Sequence, residues 1–321
     1  MKESKINQNL RQYAISGVLV ILVLFFGITQ KSFLRLDNIM NVLRQISVTG
    51  IVAVGSTFVL LSGGLDLSVG SLLAVTGTLT ASLMVNYQVA PLPAAFIGIL
   101  ASVLLGTCNG LLVQFLGLPP MIATLGMMTS ARGAAYLISG GLPIYDLPEP
   151  LKFLGKGTAF GVVPVPVIIM LVCFALGWIV LETTYFGTNF YALGGNPEAA
   201  RLAGIPTALY RVMTYVLSGL ACGIGGIVLL YRVNSGQPAA AVGMEMQVIT
   251  GCVLGGVSLS GGEGKISCVL IGCLVVGLLS NGLTIMQVNE YWQQVFTGLV
   301  LILAVCIDRL TKMQHVKRVK K

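Results

Sequence analysis

Asp66, Arg132 and the pair Glu198 and Arg201 are the ionisable residues whose settings point beyond simple solvation. Asp66 stands in LSGGLDLSVGS (61–71), with Gly63 and Gly64 before it, Ser68 and Ser71 after it, and an apolar run on either side. A charge at the edge of an apolar span is expensive and faces a cavity or a partner. The same carboxylate also suits capping the next helix through the N–H of Ser68 or Val69. The flanking glycines permit a broken helix, which a membrane tolerates only where the backbone lines a pathway or is covered by protein. Arg132, deep in MIATLGMMTSARGAAYLISGG, needs Asp66, Glu245 or the carbonyls of a broken helix as partner, unless it snorkels to the interface. The neutral polar residues Asn109, Thr124, Thr129, Ser130, Gln247 and Asn281 can form the hydrogen-bonding wall that a sugar needs, or serve as ordinary helix–helix contacts.

Bond-breaking chemistry finds no such support. His315 is the only histidine and lies in a basic terminal run, so it offers no intramembrane acid or base. The seven cysteines all fall in apolar stretches without CxxC or Cys/His ligand spacing, as small hydrophobic fillers do. HExxH, GxSxG, Walker A and paired intramembrane carboxylates do not occur in the sequence. The sequence predicts neither an enzyme nor a metal or cofactor bound by this chain.

These residues must be held by membrane helices. Of 321 residues, 55% are hydrophobic and 9% charged, against about 25% charged in soluble domains. The net charge of +8 sits in clusters at the ends of apolar runs, without the basic face of a nucleic-acid binder. The reading is an all-α integral membrane protein of about ten transmembrane helices forming one domain over 1–321. Counting about 20 apolar residues per span and dividing long runs at Pro, Gly and Asn clusters gives spans 12–30, 45–65, 67–85, 91–116, 119–139, 157–181, 212–231, 246–262, 266–289 and 291–307. The segment 182–211 is then a cytoplasmic loop and 308–321 a basic cytoplasmic tail. With both termini cytoplasmic, twelve Lys and Arg fall inside and six outside, as the positive-inside rule requires. Lys2, Lys5 and Arg11 precede the first apolar run as in a signal peptide, but no small-residue cleavage site follows, so the run reads as a retained start-transfer helix. The stretch Lys31 to Arg44 alternates charged and apolar residues like a helix lying in the interface.

Two hydrophilic segments are long enough to matter. Gly140 to Lys156, with Pro143, Pro148 and Pro150, is an outer loop that reads as a docking surface or a connector. In the loop 182–211, Asn196 can cap a short helix with Pro197 at its first position and Glu198 in its first turn, running to Ala203 and stopped by Gly204. Held out from the membrane, such a helix is a lever-like contact for another protein; the plainer reading is a solvated loop. LSGGLDLSVGSLLAVTG (61–77) is echoed by LSGGEGKISCVLIG (259–272), and Asn109-Gly110 by Asn281-Gly282, either as an internal repeat or as a product of glycine-rich composition.

IVAVGSTFVLLSGGLDLSVGSLLAVTG (51–77), PPMIATLGMMTSARG (119–133), YALGGNPEAARLAGI (191–205) and GCVLGGVSLSGGEGKISCVLIG (251–272) closely resemble the ribose-type branch of bacterial ABC transporter permeases, in order along about 33–308. The resemblance implies an inner-membrane permease with broken helices that pairs with itself or a paralogue. It implies a twin-cassette ATPase partner carrying ATP and Mg, and an extracytoplasmic binding protein that delivers ribose or a related monosaccharide. It also implies that Gly194, Gly195, Asn196, Pro197, Glu198, Ala200, Arg201, Leu202 and Gly204 form the ATPase-coupling segment. Gly63, Gly64, Asp66, Ser68, Ser71, Asn109, Thr124, Arg132, Gln247 and Asn281 are expected at the translocation pathway or a helix break. The competing expectation is an ion-coupled sugar carrier in which Asp66 would load the ion.

Overall fold

A computed structural model describes residues 2–319, with the side chains of residues 15–306. The Lys and Arg residues of both ends of the chain and His315 lie outside the described side chains. Thirteen helices follow in order: α1 (Lys2–Thr29), α2 (Leu36–Leu61), α3 (Val69–Val85), α4 (Pro91–Phe115), α5 (Pro120–Ser139), α6 (Phe153–Lys156), α7 (Val165–Trp178), α8 (Tyr185–Gly195), α9 (Pro197–Leu202), α10 (Thr207–Val233), α11 (Met244–Leu254), α12 (Ile266–Ile285) and α13 (Glu290–Val319). The described sheet is one small hairpin, β1 (Thr158–Ala159) against β2 (Val163–Pro164).

Five helical stretches, Leu36–Leu61, Pro91–Phe115, Val165–Thr183, Thr207–Val233 and Ile266–Ile285, are long and apolar enough to cross a membrane; Ile15–Thr29, Val69–Val85, Met244–Leu254 and Glu290–Cys306 are shorter apolar helices. This is an all-α multi-pass membrane protein. Prolines set several starts: Pro91, Pro120 and Pro166 lie at the first positions of α4, α5 and α7, where a missing N–H costs nothing. Residues in left-handed conformation end others, Gly140 after α5 and Asn234 after α10.

Several boundaries differ from those read in the sequence. The segment 157–181 opens with the hairpin, and its helix begins only at Val165, because Pro164 and Pro166 bar a helical hydrogen-bond ladder earlier. In 246–262 the helix stops at Leu254, where Gly255, Gly256, Gly261 and Gly262 turn the chain. The loop 182–211 is largely helical, as α8 and α9. Leu36 to Arg44 is continuous with α2 rather than a separate interfacial helix. The amides of Asn38 and Asn281 exchange hydrogen bonds of 3.0 and 3.1 Å, and Val42 and Ile46 are buried, so the start of α2 is already fixed against α12.

α10 is the central post, packed along α4, α2 and α3. Helices in lipid gain little from hydrophobic exclusion and rely on close van der Waals approach, so small residues sit where the axes meet. Gly106 of α4 and Gly219 of α10 show this: a Cβ on Gly106 would lie 2.5 Å from the Tyr215 carbonyl oxygen, and one on Gly219 2.6 Å from that of Ser102. Ser102 Oγ donates to the Gly219 carbonyl at 2.8 Å across the same contact.

α9 marks one end of the bundle. At the opposite end, 140–157 folds back over α3, α4 and α10, burying Leu147 and Leu151 in a cluster with Met84, Ala94, Leu230 and Tyr231. Ile144 and Gly236 exchange backbone hydrogen bonds of 2.9 and 2.8 Å, tying this loop to the segment after α10.

Candidate functional site: two helix breaks and a capped helix

The first break is 62–68, between α2 and α3. Ser62, Gly63 and Gly64 donate their N–H groups to Phe58, Leu60 and Val59 carbonyls, closing α2 with Gly63 at φ +77°. Asp66 follows, only 4% exposed. Its Oδ1 accepts from the Ser68 N–H at 3.0 Å and the Ser68 hydroxyl at 2.6 Å, while Oδ2 accepts from Ser218 of α10 at 2.7 Å. Asn109 of α4 donates to Ser68 Oγ at 2.9 Å, and its own Oδ1 is buried with no partner among the described residues. Thr124 of α5 and Tyr215 of α10 both donate to the Leu65 carbonyl, at 3.4 and 3.5 Å. One buried carboxylate thus ties the start of α3 to α10 and, through Ser68, to α4. The carboxylate accepts three hydrogen bonds, one of them from the Ser68 N–H that the capping reading named and one from Ser218 across the bundle.

The second break is 234–243, between α10 and α11. It runs in turns along α3: a Cβ on Gly236 would meet Ala81 Cβ at 2.5 Å, and one on Gly70 would meet the Ala241 carbonyl oxygen at 2.4 Å. Turns carry carbonyls that no helix satisfies, and Arg132 of α5 supplies their donor. Its Nη1 lies 2.7 Å from the carbonyl oxygens of Pro238 and Ala240. Arg132 is therefore bound to broken-helix carbonyls, not to Asp66.

The remaining residues of the polar set lie apart. Ser71 is buried at the third position of α3, its hydroxyl without a partner among the described residues. Gln247 of α11 borders a cavity of about 20 Å³ with Gln45, Thr49 and Ser280, room for a water and not for a sugar. Asn281 is spent on Asn38. Of the ten residues expected at the pathway or a helix break, Gly63, Gly64, Asp66, Ser68, Asn109 and Thr124 meet at the first break, and Arg132 serves the second.

The third feature is α9. Asn196 Oδ1 accepts from the backbone N–H of Glu198 at 3.1 Å and of Ala199 at 3.0 Å, with Pro197 in the first turn. Ala203 closes the helix and Gly204 turns away at φ +83°. Ala200 is buried, and Leu202 is 78% exposed at the tip. Glu198 and Arg201 form an exposed ion pair at 2.6 Å, and the guanidinium hydrogen bond holds the Glu198 carboxyl below its ordinary range. Gly194 and Gly195 end α8 instead of belonging to α9.

Sequence reasoning missed Ser218, Pro238, Ala240 and Tyr191, whose hydroxyl donates to the Gly264 carbonyl at 2.8 Å. Ser218 is an isolated serine in an apolar run, and only the need of a buried Asp66 for donors points to it. The second break carried a signal in SGQP (235–238), where Ser235, Gly236 and Pro238 are weak helix formers between two apolar runs.

The sequence over 38–305 matches the family of branched-chain amino acid transport system permease components. The ribose import permease protein of Bacillus subtilis (strain 168) is 42% identical over 293 residues, covering 91% of this chain and 90% of that protein. The D-allose transport system permease protein of Escherichia coli (strain K12) is 38% identical over 301 residues, 93% and 92% of the two chains. The L-arabinose transport system permease protein of the same organism is 39% identical over 298 residues, 93% and 90%. With helix breaks covered by protein, a capped helix at one end and this match along its length, the chain belongs to the family of transport-system permease components.

Proposed function

We propose that this chain is the membrane-spanning permease of an ATP-driven ABC importer for ribose or a related monosaccharide. The observation that carries the reading is the near full-length similarity to ribose, allose and arabinose permeases at 38–42% identity. Those relatives favour a sugar over the branched-chain amino acid of the family's description, and an import permease over an ion-coupled carrier.

In this reading both termini are cytoplasmic in a bacterial inner membrane, which puts α9 on the cytoplasmic side. A twin-cassette ATPase, holding ATP and Mg, takes the exposed tip of Glu198, Arg201 and Leu202, and an extracytoplasmic binding protein delivers the sugar. The stretch Gly194 to Gly204 is the coupling segment. A second copy, or a paralogue, faces α5, whose outward surface combines Thr129 and Ser130 with Gly126 and Gly133, each glycine having open space where a side chain would project. Two such faces would enclose a path walled by hydroxyls and backbone, the neutral surface that a sugar requires.

Gentle crosslinking in native membranes, purification through this chain and mass spectrometry test the proposal. A twin-cassette ATPase and a solute-binding protein are expected in the eluate, and sugar uptake should stop when ATP is removed with ion gradients intact. A chain recovered alone, with uptake that follows an ion gradient, would overturn it.

A further inference from the structure

Three glycine pairs, far apart in sequence, meet main chain to main chain at the base of α9. Gly262 donates its N–H to the Leu61 carbonyl at 2.9 Å. A Cβ on Gly194 would lie 1.8 Å from that same carbonyl oxygen and 2.5 Å from the Gly262 nitrogen. Gly261, at φ +84°, would carry a Cβ 2.8 Å from the Gly63 nitrogen and 2.9 Å from the Gly194 oxygen. Cβ atoms essentially never approach backbone this closely, and backbone at this density has no side chain to rotate away. Tyr191, one turn back on α8, fastens the same loop through the Gly264 carbonyl.

The junction lies between three elements. α8 continues directly into α9, with the Asn196 N–H donating to Ala192. Gly63 is three residues before Asp66 in the first break, and Gly261 and Gly262 lie in the loop from α11 to α12. The two echoing LSGG segments therefore touch each other and the root of α9.

We propose that Gly194, Gly261 and Gly262 are positioning residues that lock α8 and α9 to both the α2–α3 break and the α11–α12 loop, so that a displacement of α9 moves the three as one body. Resting on the importer reading, this assigns where movement enters the membrane: at the Asp66 break and at the foot of α12 together. Rigid backbone contact transmits displacement without loss, whereas a contact through flexible side chains would absorb it.

A glycine away from the junction supplies the control: Gly298 of α13 has nothing within 4 Å of its would-be Cβ and no positive φ. Permease, ATPase and binding protein are reconstituted in vesicles, and two quantities are read: radiolabelled ribose delivered per ATP hydrolysed, and the ATP-dependent change in backbone hydrogen exchange over 62–68 and 258–264. Gly194→Ala should still bind the ATPase but lower ribose per ATP about tenfold, as lost inter-site coupling does, and lose the exchange response; Gly298→Ala should keep both. Tyr191→Phe, a milder change, should lower the ratio about threefold, the worth of one hydrogen bond. Wild-type behaviour of both Gly194→Ala and Tyr191→Phe overturns the junction, as does wild-type behaviour of Tyr191→Phe alone if Gly194→Ala fails to assemble. A wild-type complex that binds the ATPase but imports none of ribose, allose and arabinose refutes the sugar reading instead, and the exchange response, which needs no sugar, then decides the junction.

Discussion

Arg132 holds the carbonyls of Pro238 and Ala240 with a single nitrogen, 2.7 Å from each. A half-buried charge among apolar helices is thus used to satisfy backbone that the 234–243 turns leave outside any helix.

Removing that donor should destabilise the protein. Arg132→Met leaves two carbonyls unsatisfied and should cost about 2–3 kcal/mol. Arg132→Lys, which retains a charged donor, should cost less. Thermal unfolding in detergent reads the difference, and equal melting of wild type and Arg132→Met would remove the role.

Asp66 should behave as a structural acceptor. Asp66→Asn keeps an oxygen for Ser68 and can donate to the Ser218 hydroxyl, so it should cost about 1 kcal/mol, whereas Ser218→Ala strands one carboxylate oxygen at about 1–3 kcal/mol. Uptake by a stably folded Asp66→Asn permease should persist. Complete loss of uptake in that variant would point to a charge-dependent step.

The Asn196 cap should be local in effect. Asn196→Ala should cost about 1 kcal/mol of α9 helix, and Asn196→Asp almost nothing. Hydrogen exchange at Glu198 and Ala199, whose N–H groups the cap accepts, should accelerate in the first variant alone.

Glu198 fixes the pH dependence of the tip. Its pKa is lowered by Arg201 from an ordinary 4.5, so the ionised pair is present above that value and lost as the pH falls through the depressed one. ATPase association should therefore be flat from about pH 5.5 to 8 at fixed salt. A step in that window would show that another group controls docking.

The apolar runs and their order were legible because membrane helices are written in composition, and α9 because Asn196, Pro197 and Gly204 are local punctuation. Partners across the bundle were not. Nothing near Asp66 in sequence indicates Ser218, 152 residues away, and nothing near Arg132 indicates the carbonyls of Pro238 and Ala240. Asn281 shows the same limit, since its amide answers Asn38 across 243 residues. The LSGG echo was visible as text, but that its two copies touch follows from tertiary packing alone.

Main chain against main chain at Gly194, Gly261 and Gly262 also fixes how this joint can vary. Every single-base change in a glycine codon that alters the residue introduces a Cβ, and none of the three positions has space for one. The joint cannot drift through small, tolerated replacements as an ion pair or an aliphatic contact can. It contains no group that titrates or is screened, so its tightness is the same in dilute and concentrated salt. Variation among such permeases would then gather at the tip of α9, where a changed partner can be met, while the hinge beneath stays the same.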